Sequence, residues 1–146
     1  MEKLKTTDGS APKRLSETRW SARADALNSL NSNYRVYFEV LQQIAENPLQ
    51  KKATQAEADS IIKALAKLET GFLTAFWSCV LKRTNMTSKL LQSEKADLGS
   101  SVSLLQSLSE FVGMQRARNK FEEFVEVGKK LSGSLEFSKK RTKYSR

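Results

Sequence analysis

The sequence predicts an all-α protein: a bundle of about four long amphipathic helices with disordered basic termini. Apolar residues recur three or four apart over long stretches, as a helix with one buried face requires. Only two prolines and six glycines interrupt 146 residues, so few points force the chain to turn. Runs of Val, Ile and Thr that favour strands are absent. Apolar residues make up 39% of the chain, enough for a globular core, and the length fits one domain. The expected organisation is a flexible arm at 1–16, a helical domain at 17–132 and a disordered basic tail at 133–146.

The first helix starts near Trp20 and carries Leu27, Leu30, Tyr34, Phe38, Leu41 and Ile44 on one face. Thr18 or Ser21 caps its start. Asn47 and Pro48 stop it, because proline disfavours helical geometry at the residue before it. A second helix begins near Thr54, which forms a capping-box pattern with Glu57, and continues through Ala58, Ile61, Leu65, Leu68 and Phe72. A bend or break is expected at Gly71. From there Phe72, Leu73, Phe76, Trp77, Val80 and Leu81 are apolar on more than one face, which places this third piece deepest in the bundle. It turns amphipathic through Met86, Leu90 and Leu91 and ends before Ser93. A fourth helix starts near Asp97 or Gly99 and runs to about Lys130 through Leu98, Val102, Leu105, Leu108, Val112, Phe121, Phe124 and Val125. Its middle, at 114–120, is nearly all polar or charged. Ser132, Gly133 and Ser134 end it.

The formal charge is +9 and the pI is near 9.8, a balance that attracts polyanions such as nucleic acid. Cys79 is the only cysteine, so no intrachain disulfide forms, and the thiol packs as a small hydrophobe among Trp77, Val80 and Leu81. A reducing, intracellular compartment is the expectation. The N-terminal residues lack a signal-peptide apolar region, and no membrane span is expected.

Histidine is absent, which removes the commonest general base, the commonest metal ligand and every Ser-His or Cys-His pair. Glu122, Glu123 and Glu126 stand beside Lys120, Lys129 and Lys130 at helical spacing and read as a solvated, ion-paired face. The glycines are scattered, with no phosphate-cradling loop among them. The expectation is therefore no enzyme, no cofactor and no metal site.

Two basic clusters remain. Lys13, Arg14, Arg19 and Arg23 surround the indole of Trp20, a grouping that neutralises phosphates while the ring stacks on an unpaired base. On composition alone Trp20 reads instead as the start of the apolar stripe. The tail residues Lys139, Lys140, Arg141 and Lys143 have the density of a nuclear import signal or a phosphate-binding extension, and equally that of a solvated terminus.

The segment Leu15-Ser16-Glu17-Thr18-Arg19-Trp20-Ser21-Ala22-Arg23 resembles the Thr-Arg-Trp signature of hAT-superfamily transposases, specifically the domesticated, zinc finger MYM-type-like branch. Phe76-Trp77, the Met86-Thr87-Ser88-Lys89-Leu90-Leu91-Gln92 stretch, Arg116, Phe121, Phe124 and the basic finish follow in the order of that group. The resemblance runs from Pro12 to the end. In such transposases a ribonuclease-H-like core with an Asp, Asp, Glu triad is interrupted by an all-helical insertion, which begins at the Arg-Trp motif. The resemblance identifies this chain with that insertion. It implies that Trp20 stacks against a displaced base with Arg19 alongside.

The triad and the family's zinc-binding DNA-recognition module fall outside these residues. Two-metal strand cleavage needs carboxylates converging on shared ions, so the resemblance implies a chain that does not cut DNA. The expected product is an inactive, truncated transposon-derived protein, nuclear, with weak affinity for DNA. The alternative is a helical protein-interaction module without a nucleic-acid role, docking a partner or a second copy through the aromatic run at 72–77.

Overall fold

The computed structural model describes residues 20–93 and 97–138, with the side chain of Trp20 also outside the description. Within them the chain is all helical. Six helices replace the four expected, because two of the four are each divided and the boundary between the second and third is moved.

The first predicted helix is divided at Asn33 into α1 (Trp20–Ser32) and α2 (Tyr34–Glu46). Asn33 leaves helical geometry at φ −121°, ψ 24°, and its side-chain amide donates to the Ser29 carbonyl at 3.1 Å. That local bond offers the backbone an alternative to continuing the helix. The two halves then part. Helix α1 packs on the long helix α4 (Leu68–Leu91), whereas α2 pairs with α3 (Lys52–Leu65). As expected, α2 ends at Asn47 before Pro48, with Asn47 extended at ψ 112°.

The expected capping box at Thr54 and Glu57 does not form. Helix α3 starts two residues earlier, behind Lys51, and has no side-chain cap. Its end comes at Ala66 and Lys67, where α3 and α4 meet at 74°, and not at Gly71. Thr70 fastens this corner by donating from its hydroxyl to the Ala64 carbonyl at 2.6 Å. Gly71 lies inside α4.

Helix α4 is the centre of the molecule, about 36 Å long at the usual rise. It packs against α6 (Arg118–Ser132), α1, α5 (Leu98–Met114) and α3. The helix is the most widely packed of the described helices, but the apolar run expected to lie deepest does not: Leu73 and Trp77 stay exposed, and the buried line is made mostly of small residues. Gly71, Thr74, Ala75, Ser78 and Thr87 are buried together with Leu68 and Leu81. Thr74 satisfies its buried hydroxyl on the Thr70 carbonyl at 2.7 Å. The small residues let neighbouring helices approach closely. At the α4–α6 crossing, an ideal Cβ on Gly71 would sit 2.5 Å from the Gly128 carbonyl oxygen, and one on Gly128 would sit 2.7 Å from the Phe72 nitrogen. No flexible side chain intervenes, so both positions require glycine.

The fourth predicted helix is divided at 115–117, inside its polar middle, giving α5 and α6. Helix α5 starts where expected, between Asp97 and Gly99, and Asp97 caps it, accepting from the Ser100 amide at 2.9 Å and the Ser100 hydroxyl at 2.6 Å. Helix α6 ends on Gly133 in the left-handed region at φ 73°, and the Gly133 amide donates to the Lys129 carbonyl at 2.9 Å. The segment 134–138, assigned to the tail by sequence, folds back over α4. There the Ser138 amide and hydroxyl both donate to the Glu69 carboxylate.

Candidate functional site

Of the nine cluster residues singled out by sequence, eight have no described side chain. Lys13, Arg14 and Arg19 lie outside the described residues, as do Lys139, Lys140, Arg141 and Lys143, and Trp20 is described only as the first residue of α1. Arg23 is exposed one turn into α1. The helical body thus places one of these groups, and the geometry that would join Trp20 to the basic residues lies outside it.

The described residues do show how charge is divided. They carry 14 Lys and Arg against 12 Asp and Glu, compared with 25 and 16 in the whole chain. Seven of the nine net positive charges therefore sit at 1–19, 94–96 and 139–146. The body itself is nearly neutral. On α6, ion pairs cancel part of its charge: Arg118 with Glu122 at 3.2 Å, Lys120 with Glu123 at 2.6 Å and Lys129 with Glu126 at 2.7 Å. These exposed pairs match the solvated face expected there and contribute little to stability.

The aromatic run at 72–77 is not the free surface that the interaction reading assumed. The Phe72 ring contacts Phe121 at 5.2 Å, Phe137 at 6.1 Å and Phe124 at 6.5 Å between centroids, and Phe76 meets Phe124 edge-on at 5.5 Å. Helix α6 and the returning segment cover these rings. Trp77, 45% exposed, is left at the rim with its ring edge-on to Phe76.

An open cleft of about 320 Å³ lies between α2 and the end of α6, lined by Tyr34, Arg35, Phe38, Glu39, Gln42 and residues 130–133. Tyr34 is its most perturbed group. Its hydroxyl donates to the Leu65 carbonyl at 2.8 Å, and burial pushes its pKa up to about 12. A phenol held neutral and already committed to a backbone carbonyl anchors α2 to the end of α3 and does not act as a base. Elsewhere, Glu69 is lowered by a hydrogen bond from its own backbone amide together with those from Ser138, and Asp97 by the hydroxyl and amide of Ser100. Both shifts arise from capping and latching bonds. Neither carboxylate belongs to a group of metal-binding side chains, and the described residues contain no such group.

Arg83 and helix α5 supply what sequence reasoning missed. The Arg83 guanidinium donates to the Ser107 hydroxyl at 2.8 Å and lies 5.9 Å from the centre of the Phe111 ring, so it joins α4 to α5. Its Nε is buried without a partner, which makes it an expensive joint. Helix α5 buries none of its residues completely. The sequence read Val102, Leu105 and Val112 as part of a buried stripe, yet they remain exposed. Periodicity identifies an apolar face but not what covers it.

Among the described residues, no single helix is long and apolar enough to cross a membrane. Compared with known proteins, the chain matches no family model, no curated sequence and no solved structure.

Proposed function

We propose that this chain is a catalytically inactive, transposase-derived helical domain that acts in the nucleus and binds nucleic acid weakly through its basic ends. The observation that carries this reading is the division of charge: a nearly neutral helical body with cationic segments at both ends. A field concentrated in this way draws in phosphates without requiring a shaped groove. The Thr-Arg-Trp resemblance supports the choice of Trp20 as a base-stacking residue at the start of α1. The Tyr34 cleft supports the non-catalytic part, since its one strongly perturbed group is held in a structural bond.

Fluorescence anisotropy with a labelled single-stranded oligonucleotide, titrated at several salt concentrations, tests the reading. Binding is expected to weaken steeply with salt. Deleting residues 139–146 removes five cations, so the log–log slope should flatten by up to about 3.5 if each meets a phosphate. Trp20→Ala should weaken single-stranded binding by roughly 1–3 kcal/mol and duplex binding by less. No binding at low salt, or a slope unchanged by the deletion, would overturn the proposal.

A further inference from the structure

The segment that returns over α4 ends in a clasp. Ser138 donates twice to the Glu69 carboxylate, from its backbone amide to one oxygen and from its hydroxyl to the other at 3.1 Å. One residue earlier, the Phe137 ring lies against Phe72 and Phe121, with centroids 6.1 and 6.5 Å away. Little of this contact is buried. Leu135 is 76% exposed, Phe137 is 43% exposed, and both hydrogen bonds of the clasp face solvent. The segment is therefore held by the match of two donors to one carboxylate, beside a single aromatic contact.

We propose that Ser138 is a phosphorylation site and that its modification opens this clasp. Three observations select it. Among the described serines and threonines, Ser93, Ser134 and Ser138 alone lie outside helices, so these three reach a kinase without local unfolding of a helix. Ser134 is half-buried with its hydroxyl on the Glu136 carbonyl, and Ser93 is followed by Glu94. Ser138 is exposed and is followed by Lys139, Lys140 and Arg141, which suits a kinase that reads basic side chains after its target. In the reaction the Ser138 Oγ attacks the γ-phosphorus of ATP. A new Oγ–P bond forms, the bond from that phosphorus to the β–γ bridging oxygen breaks, and ADP leaves with its electron pair while the hydroxyl proton passes to the kinase base. The product has no hydroxyl hydrogen to donate and carries about −1.5 to −2 of charge beside the Glu69 carboxylate, so attraction becomes repulsion. Lys67 stands near enough to Glu69 to offset one negative charge, which leaves the pair in excess. The segment then lifts, and the Phe137 ring leaves Phe72 and Phe121. On the nucleic-acid reading, the same phosphate also opposes the five cations at 139–146, but the clasp does not depend on that reading.

The test uses the full chain without nucleic acid. It is incubated with Mg²⁺, ATP and protein kinase C, a kinase that favours basic residues after the serine, and phosphate is located by mass spectrometry. Phosphate is expected on Ser138. The product and an identically treated Ser138→Ala chain, which carries any phosphates placed elsewhere, are then compared by hydrogen exchange. Peptides covering 134–138 should lose protection on phosphorylation of the wild type and keep it in Ser138→Ala, where the amide bond to Glu69 remains. In Glu69→Gln, whose side chain still offers an acceptor oxygen but no charge, phosphorylation should cost less protection. A Ser138 left unmodified would overturn the proposal. So would phosphoserine at 138 with protection unchanged, or an equal loss in the wild type and Glu69→Gln.

Discussion

At the scale of single residues, burial raises the pKa of Tyr34 and local hydrogen bonds lower those of Asp97 and Glu69. The Tyr34 pKa is raised from 10.0 to about 12, so the contribution of Tyr34 to stability is complete below pH 10 and is lost as pH rises toward 12. Tyr34→Phe should flatten this alkaline decline in a pH series of thermal melts while lowering the midpoint at pH 7, because the Leu65 carbonyl loses its donor. An unchanged alkaline limb would show that another group is responsible. The folded Asp97 pKa lies below the ordinary 3.8, so its capping contribution is complete above that value and disappears as pH falls through the lower, folded one. Asp97→Ala should lower the melting temperature at pH 7 and make it less sensitive to acid, as measured by circular dichroism. Asp97 was legible in the sequence because a carboxylate before an apolar-periodic run is a helix start. Tyr34 was not, because its partner is a carbonyl 31 residues away.

Among the helices, close approach decides more than helix propensity. Alanine ordinarily favours a helix over glycine by about 0.8–1 kcal/mol. At Gly71 and Gly128 the added methyl meets backbone atoms of the crossing helix, which cannot rotate away, and overpacking of this kind costs about 1–3 kcal/mol. Gly71→Ala and Gly128→Ala should therefore destabilise the protein in denaturant titrations. Gly113→Ala, where an added methyl meets nothing within 4 Å, should be neutral or slightly stabilising. Equal effects at all three positions would refute the close crossing. The same contrast explains why Gly71 was misread as a break: a glycine that lets two backbones touch and one that lets a chain turn look alike in sequence. The true break at Ala66 and Lys67 carries no glycine, proline or side-chain cap, and the starts at Lys51 and Ala117 lack side-chain caps as well. Among the described helix starts, Asp97 alone makes a capping side-chain bond, and α5 starts between the two positions, Asp97 and Gly99, that the sequence offered.

Across the whole molecule, stability should fall away from α4. Native-state hydrogen exchange should find the slowest amides in the middle of α4, which is packed by α1 and α6. The fastest helical amides should lie in α5, which has no buried residue. Protection of α5 equal to that of α4 under these conditions would contradict the described packing. From the sequence alone, apolar periodicity and the scarcity of helix breakers determined an all-helical fold, and composition determined a strongly cationic chain. Those properties are local or additive, so each residue contributes whatever its distant neighbours are. The placement of each helix face was decided by tertiary structure. The rings of Phe72 and Phe76 became covered, and that of Trp77 did not, because α6 and the segment at 134–138 return over the first two. The equally apolar row on α5 stayed exposed because no described segment returns to that side. Burial requires a second surface, and one stretch of sequence cannot specify where that surface will come from.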